Sequence, residues 1–464
     1  MTISHLDTKW KFKKLFELIR KLTLLQRLHF WPFLGLWSVE SRTYSLFGEK
    51  VRSEAGEAAI AKATSQEHEQ NTPETVHLIA RAVGFLRMCN ISELKKVHTT
   101  IYTNSEIKAQ SVMETCLAVA GTKNTVQHLI HHIQKKTISP LRAAELLKSI
   151  QETLFSSEHI ADLLIELAQS PLAKGYEPLR QSAWLAAGSV VRGFASMTQD
   201  LPLARPATHQ FKEKYIRVFM QHFRSAESTY EKVLALKTLG NAGIDMSVNE
   251  LVQLIQDTRQ PLAIRTEAVD ALRLLKDVMP RKIQKVLLPV YKNLQNKPEL
   301  RMAALWRMME TLPEEPVLAH IVSQMEKESN QHVAAFTYNV IRQFASSTNP
   351  CTQSLTVRCS NILLFTRYQP QEQNLSTYAQ LPIFQSDMLS GVQFDFATIF
   401  EKNSFLPKEI HAFFESLFGD NWLRNKTLHK SSSRPSRDFP FTENSPMNSV
   451  PVVFNPEFRC SKRS

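Results

Sequence analysis

One short pattern occurs three times between residues 231 and 308, and nothing else in the chain constrains its fold as tightly. Ala235-Leu236 followed by Leu239 is echoed by Ala271-Leu272 followed by Leu275, and again by Ala304-Leu305 followed by Met308, at offsets of 36 and 33 residues. That period is one helix–turn–helix unit of a solenoid. In the first copy, Glu231–Gly243, Val233, Leu236 and Leu239 line one helical face. Gly240 and Gly243 bracket Asn241, which suits a left-handed cap and a reversal into the next helix. Second helices lie between the echoes. Ile283, Val286, Leu287 and Val290 are spaced i, i+3, i+4, i+7, Leu318, Ile321, Val322 and Met325 repeat the spacing, and Val333, Phe336, Val340 and Phe344 continue it. An isolated pair of such helices cannot bury its apolar stripe, whereas a stack of pairs can. Core packing explains every stripe, and that packing is the solenoid. The chain is therefore expected to be all-α, a superhelical α-solenoid of antiparallel helix pairs over residues 75–350.

Composition agrees. Hydrophobic residues make up 43% of the 464 and charged residues 22%, which is globular, and only 12 are glycine, which favours helix over sheet. The formal net charge of +12 favours acidic partners such as nucleic acid or anionic headgroups. After position 50, however, Lys and Arg are interleaved with acids and no basic stripe carries stacking aromatics, so no nucleic-acid partner is expected.

Residues 1–50 form a basic N-terminal segment. Seven Lys/Arg against two acids interrupt every apolar run of Met1–Phe30, so no secretory signal peptide is read there. Phe12, Leu15, Phe16, Ile19 and Leu22 share a helical face opposite Lys11, Lys13, Lys14, Arg20 and Lys21, and Pro32 stops the pattern. Such a helix lies on an anionic membrane surface, through residues 1–31, or docks on a protein. Residues 51–74 read as a polar linker or a solvated helix. In the array, Ser92 with Glu93 opens a helix, Thr122 or Asn124 opens another, and Pro140 sits in a first turn. Pro178–Ala195 forms one helix, and Thr198–Thr208 is the longest break. After Cys351 the grammar changes. Leu355–Arg367 reads as a last helix or an extended segment, and the partial alternation of Phe384, Phe394 and Phe396 within Ile383–Phe400 suits strands. Residues 351–430 thus lean towards β structure, and the Ser/Pro/Asn-rich tail 431–464 reads as disordered.

No phosphate-binding loop, nucleophile elbow or HExxH motif is present, so no enzyme is expected. His128, His131 and His132 fall at i, i+3, i+4 on one helix. Two imidazoles could share a metal, but a tetrahedral site needs further ligands and the sequence indicates none. No metal or cofactor is expected. Asn90, Asn374 and Asn425 begin glycosylation sequons, in a number that chance would also produce.

Several segments, in order, resemble one family. AVAGTKNTVQHLIHHIQKKTISPLRAAELLKSI (Ala118–Ile150), ALKTLGNAG, RTEAVDALRLL, PRKIQKVLLPVY, ELRMAALWRMMETLP and EKESNQHVAAFTYNVIRQFASSTNP look like the helical domain of the large lipid transfer proteins: vitellogenin, apolipophorin, apolipoprotein B and the microsomal triglyceride transfer protein. The likeness covers roughly residues 75–421 and is nearest to vitellogenin. It implies lipid transport and yolk nutrient supply, with phospholipid or neutral lipid as partner, bound lipid where the family's sheets are present, and an extracellular location. It also implies that β-sheets walling a lipid cavity begin after the helical domain, and that Phe405–Trp422 is a short helical segment interrupting them. Family members start with a signal peptide and a β-rich domain. Neither is read here, so the chain is expected to be a fragment or a divergent member. In a secreted member Cys351 and Cys359 could form a disulfide; in a cytosolic protein they would be free. An apolar face left uncovered would favour a homodimer. The alternative function is an α-solenoid interaction scaffold that carries no lipid.

Overall fold

The computed structural model describes residues 56–61, 64, 73–104, 107–151, 155–200, 207–370, 375–385, 390–400, 407–418 and 421–431. The basic segment 1–50, the tail beyond Ser431 and Asn374 lie outside the described residues. The chain divides into two compact units, Met1–Ala183 and Trp184–Ser464.

The first unit contains α1 (Pro73–Met88), α2 (Ile91–Asn104), α3 (Ile107–Ala120), α4 (Lys123–Gln134), α5 (Pro140–Ile150), α6 (Glu158–Gln169) and the short α7 (Pro171–Lys174). Helices pack on the next and the next but one: α1 on α3, α2 on α3 and α4, α3 on α5, α4 on α6. That is the adjacency of stacked pairs, each burying the stripe its neighbour exposes. Leu86, Leu94, Val97, Met113 and Leu117 fill the interior. The stretch read as a linker or solvated helix contributes to it, for residues 56–61 are helical and bury Ala59 and Ile60 in the same cluster. Local caps set the helix starts. Thr122 Oγ1 accepts from Thr125 N, and Ser139 Oγ accepts from Arg142 N ahead of Pro140. The start of α2 is capped by Asn90 instead of Ser92. Asn90 Oδ1 accepts from Glu93 N at 3.0 Å while Glu93 Oε2 accepts from Asn90 N, a reciprocal capping box.

The second unit takes in most of α8 (Glu177–Asp200), then α9 (His209–Ser225), α10 (Thr229–Ala242), α11 (Val248–Gln256), α12 (Leu262–Asp270), α13 (Pro280–Lys292), α14 (Pro298–Met309), α15 (Glu315–Glu326), α16 (Gln331–Ala345) and α17 (Gln353–Leu363). Helix α8 runs to Asp200, five residues beyond Ala195. Helices α10, α12, α14 and α16 stack in one row, and α13 packs on α14 and α15. All three Ala-Leu copies are buried in this row. The middle copy, Ala271–Leu275, is not α-helical: α12 stops at Asp270, and Arg273–Leu275 is a 3₁₀ turn. Gly240 explains the tight fit there, since a Cβ on it would lie 2.9 Å from Ala271 Cα. The left-handed cap falls on Gly243 (φ +53°). Asn241 is fully buried and works as a cross-link. Its Nδ2 donates to Leu185 O at 3.4 Å and its Oδ1 accepts from Arg273 Nη2.

The chain then forms a four-stranded antiparallel sheet in sequential order, β1 (Thr377–Gln385), β2 (Ser390–Phe400), β3 (Pro407–Phe418) and β4 (Asn421–Ser431). The helix implied for Phe405–Trp422 is not formed. Within it, Ile410, Phe413, Phe414 and Leu417 do follow helical spacing, but β3 pairs with β2 on one edge and β4 on the other. Two ladders satisfy its backbone where a helix would have used local bonds. The Cys351–Cys359 disulfide is not formed either. Cys359 is a buried free thiol, while Cys351 takes part in a different disulfide. Cys351 lies in the 3₁₀ turn ahead of α17 and Cys359 is the seventh residue of that helix, about 9 Å along its axis from the first, so the helix carries the two thiols apart.

Candidate functional site: an apolar sheet face and a histidine cluster

The sheet in the second unit is inverted relative to an ordinary half-buried sheet. Its polar side faces protein. Gln380, Gln393 and Asp395 are buried together with Tyr378, Ala397 and Ile399. Gln393 Oε1 accepts from Asn349 Nδ2 at 2.8 Å, and Gln393 Nε2 donates to Asp395 at 2.9 Å. Tyr378 sits against Trp306 and Phe344, with ring centroids 5.3 and 6.2 Å apart. Lys408 Nζ meets Glu299 Oε1 at 2.6 Å. Gln380 N also donates to Gln343 Oε1 of α16 at 3.2 Å, so the strands are fastened to α14, to α16 and to the turn after α16 by hydrogen bonds, an ion pair and an aromatic cluster.

The alternate positions carry the apolar residues. Leu381 is 57% exposed, Ile383 45%, Phe396 38% and Ile410 37%. Registration puts Leu381 opposite Phe394, Ile383 opposite Val392, and Thr398 opposite Ile410. Side chains alternate across a strand, so these residues share the face turned away from the helices. An apolar sheet face that stays exposed among the described residues marks an interaction surface. Asn425 lies in β4 at the shift in pairing where Phe414 meets Lys426 and Glu415 meets Arg424. Of the sequon asparagines in described positions, Asn90 is exposed but serves as the cap of α2.

The first unit holds a second constellation. His128 and His132 stand one turn apart on α4, and α2 brings His98 against them. Ring centroids of His98 and His132 are 3.7 Å apart and nearly parallel, those of His128 and His132 are 4.6 Å apart, and those of His98 and His128 are 5.2 Å apart. One potential ligand nitrogen from each lies within 4.8 Å of the others. His131, which the spacing also singled out, is turned to solvent. His98 was missed because it sits in another helix. The one signal available was its offset of 34 residues from His132, a full repeat, which places two side chains in register on adjacent pairs.

Burial governs the electrostatics of this cluster. It holds His128 down to about 3, helped by His132, His98, His131 and Lys95. His98 and His132 are each lowered to about 4, first by burial and then by their charged or chargeable neighbours. The three imidazoles are neutral at pH 7 and offer lone pairs. His98 also stacks on Tyr102 at 3.9 Å, and the Tyr102 hydroxyl donates to Glu114 at 2.7 Å. A cleft of about 240 Å³, lined in part by Lys95, Gln127, His128 and His131, adjoins the cluster.

The family model described as the vitellogenin TPR domain matches residues 54–342, and that of the vitellinogen open beta-sheet matches residues 374–424. The chain is 83% identical over 357 residues to vitellogenin-4 of Caenorhabditis elegans, covering 77% of this chain and 22% of that protein. It is 39% identical over 370 residues to vitellogenin-6 of Oscheius tipulae, covering 78% and 22%. It therefore spans about a fifth of the length of the curated relatives it matches. A solved structure of lipovitellin, described for its lipid–protein interactions, shares the fold with a TM-score of 0.73 at 18% identity, over 87% of this chain and 43% of that one.

Proposed function

This chain belongs to the vitellogenin family, and from that premise we propose that it supplies the helical scaffold and the first strands of the lipid-bearing sheet in a secreted yolk lipid carrier. Its work is burial, not catalysis. The observation that carries this reading is the inverted sheet, whose polar face is fastened to α14 and α16 while Leu381, Ile383, Phe396 and Ile410 stay exposed among the described residues. Acyl chains laid on that face leave water at about 0.8 kcal/mol per methylene buried. The occupant is phospholipid or neutral lipid. In its absence the same face would join two copies of the chain as a homodimer.

The test is flotation of the full chain with phosphatidylcholine vesicles, comparing wild type with a Leu381→Lys/Phe396→Lys double variant. Both substituted side chains are already part exposed, so the fold tolerates them. Lipid recovered with the wild type and reduced at least fivefold in the variant supports lipid carriage through this face. Equal recovery, or none with either protein, overturns it and leaves the interaction scaffold.

A further inference from the structure

We propose that a disulfide between Cys351 and Cys460 clamps residues 450–458 of this chain onto α17, so that Phe454 and Phe458 cover the apolar side chains that this helix leaves exposed. The oxidation rests on the secreted location proposed above, whereas the docking surface belongs to the helix itself.

Three observations carry this. The first is an elimination. The chain has five cysteines. Cys89, Cys116 and Cys359 are buried free thiols, and Cys351 is disulfide-bonded. Cys460 is the one cysteine left to pair with it within the chain. The second is the surface beside Cys351, which stands in the 3₁₀ turn Pro350–Thr352 directly ahead of α17. Val357 is 56% exposed, Leu364 82% and Phe365 79%. They stand at i, i+7 and i+8, on one face of the helix and its C-cap, while Leu355 and Cys359 on the opposite face are buried. The third is a match of sequence and length. Phe458 lies two residues and Phe454 six residues before Cys460. At about 3.3 Å per extended residue, Phe458 falls within about 7 Å and Phe454 within about 20 Å of the disulfide. Along α17, at about 1.5 Å per residue, Val357 lies about 6 Å and Leu364 about 17 Å beyond Gln353. A segment running back along the helix from Cys460 therefore lays Phe458 on Val357, and Phe454 on Leu364 and Phe365.

Pro451 and Pro456 disfavour helix for themselves and for the residues before them, which suits an extended strap. Cys460 follows Ser431, the last residue of β4, by 29 residues, enough for up to about 95 Å of extended chain. The covalent step is an exchange with glutathione disulfide, the oxidant of a secretory compartment. The Cys460 thiolate attacks one sulfur of glutathione disulfide and releases one glutathione. The Cys351 thiolate then attacks the Cys460 sulfur of the mixed disulfide and releases the second. Two protein thiols are oxidised, one glutathione disulfide is reduced to two glutathiones, and these take up the two thiol protons. Cys116 and Cys359 stay out of the exchange, because burial pushes both up to about 12 and the thiolate is the attacking form. Once made, the bond turns docking on α17 into an intramolecular event.

In the experiment, the full chain is equilibrated with glutathione and glutathione disulfide at the poise of a secretory compartment, quenched with N-ethylmaleimide and digested without reduction for mass spectrometry. The expected result is a peptide pair joining Cys351 to Cys460, in a protein that runs as a monomer under non-reducing, denaturing conditions. Hydrogen exchange then reads the docking. Amides of residues 353–364 should exchange at least threefold faster in Cys460→Ser than in the oxidised wild type. They should do the same in Phe454→Asp/Phe458→Asp, which keeps the disulfide. All three positions lie outside the described helices and strands, and circular dichroism verifies that the fold is kept. Alkylation of both cysteines, a bond of either to another cysteine, or a disulfide-linked dimer overturns the clamp. A Cys351–Cys460 bond with unchanged exchange in Phe454→Asp/Phe458→Asp overturns the docking. Neither readout involves lipid, so failure of the clamp and failure of lipid carriage are told apart.

Discussion

Arg265 and Arg301 make the same hydrogen bond one repeat apart. Arg265 Nε donates to Ile255 O at 2.9 Å, and Arg301 Nε donates to Tyr291 O at 2.8 Å. The arginines are 36 residues apart and each reaches ten residues back, into the last turn of the preceding helix. The last carbonyls of a helix have no partner within it. In a solenoid those ends are buried by the next unit, so the next unit supplies the donor.

The two arginines should differ in worth. Arg301 also pairs with Glu328, and both side chains are buried, whereas the second partner of Arg265 is the neutral Asn296 at 2.9 Å. Arg301→Met strands a buried carboxylate and is expected to cost about 3–5 kcal/mol. Arg265→Met removes bonds to neutral acceptors and is expected to cost about 1–3 kcal/mol. Urea unfolding of both variants checks the order; equal losses would mean that Glu328 gains little from its partner.

Gly240 and Gly84 should respond to alanine in opposite directions. A Cβ on Gly240 would lie 2.5 Å from Arg273 Nη1 and 2.9 Å from Ala271 Cα, while one on Gly84 meets nothing within 4 Å. Gly240→Ala must push two repeats apart and is expected to destabilise by about 1–3 kcal/mol. Gly84→Ala, in the interior of α1, is expected to stabilise by about 0.5–1 kcal/mol through helix propensity. Thermal melts of the two variants suffice.

Burial pushes the thiols of Cys116 and Cys359 up to about 12. The thiolate is the reactive form, so at pH 8 each should alkylate about a thousandfold more slowly than an ordinary thiol near 8.5. Peptide mapping after iodoacetamide should find both unmodified in the native chain and modified in urea. Rapid native labelling of Cys359 would place it outside the core.

Acid should loosen the first unit before the carboxylates titrate. The folded chain holds His98 and His132 near 4 and His128 near 3, below the ordinary value near 6.5. Between about pH 6.5 and 4 the unfolded chain therefore binds protons that the folded one refuses, and stability falls as pH drops through that window. Lys95, His131 and Lys135 face the cluster and reinforce the effect. Melting at pH 7 and pH 5 should show the drop in the wild type and a smaller one in His128→Leu. An unchanged difference in that variant would place the acid sensitivity elsewhere.

Much of the fold was legible in the sequence because its determinants are local. A stripe such as Val333, Phe336, Val340 and Phe344 is written in consecutive turns of one helix, and its burial needs only a neighbour of the same kind one repeat away. Caps at Thr122 and Ser139 are equally short-range. What the sequence left open depends on partners far along the chain. Ile410, Phe413, Phe414 and Leu417 fit a helix and a strand alike, and only the ladders to β2 and β4 make them a strand. Asn241 reads as a turn residue until Arg273 and Leu185 are beside it. His98 carries no mark of its own, and becomes a third imidazole because stacking sets residues one repeat apart side by side. Sequence alone thus determined the helices, their period and the family, since those rest on spacing within about one repeat. Tertiary structure alone decided which sheet face is apolar and uncovered and which histidines meet, because long-range pairing sets both.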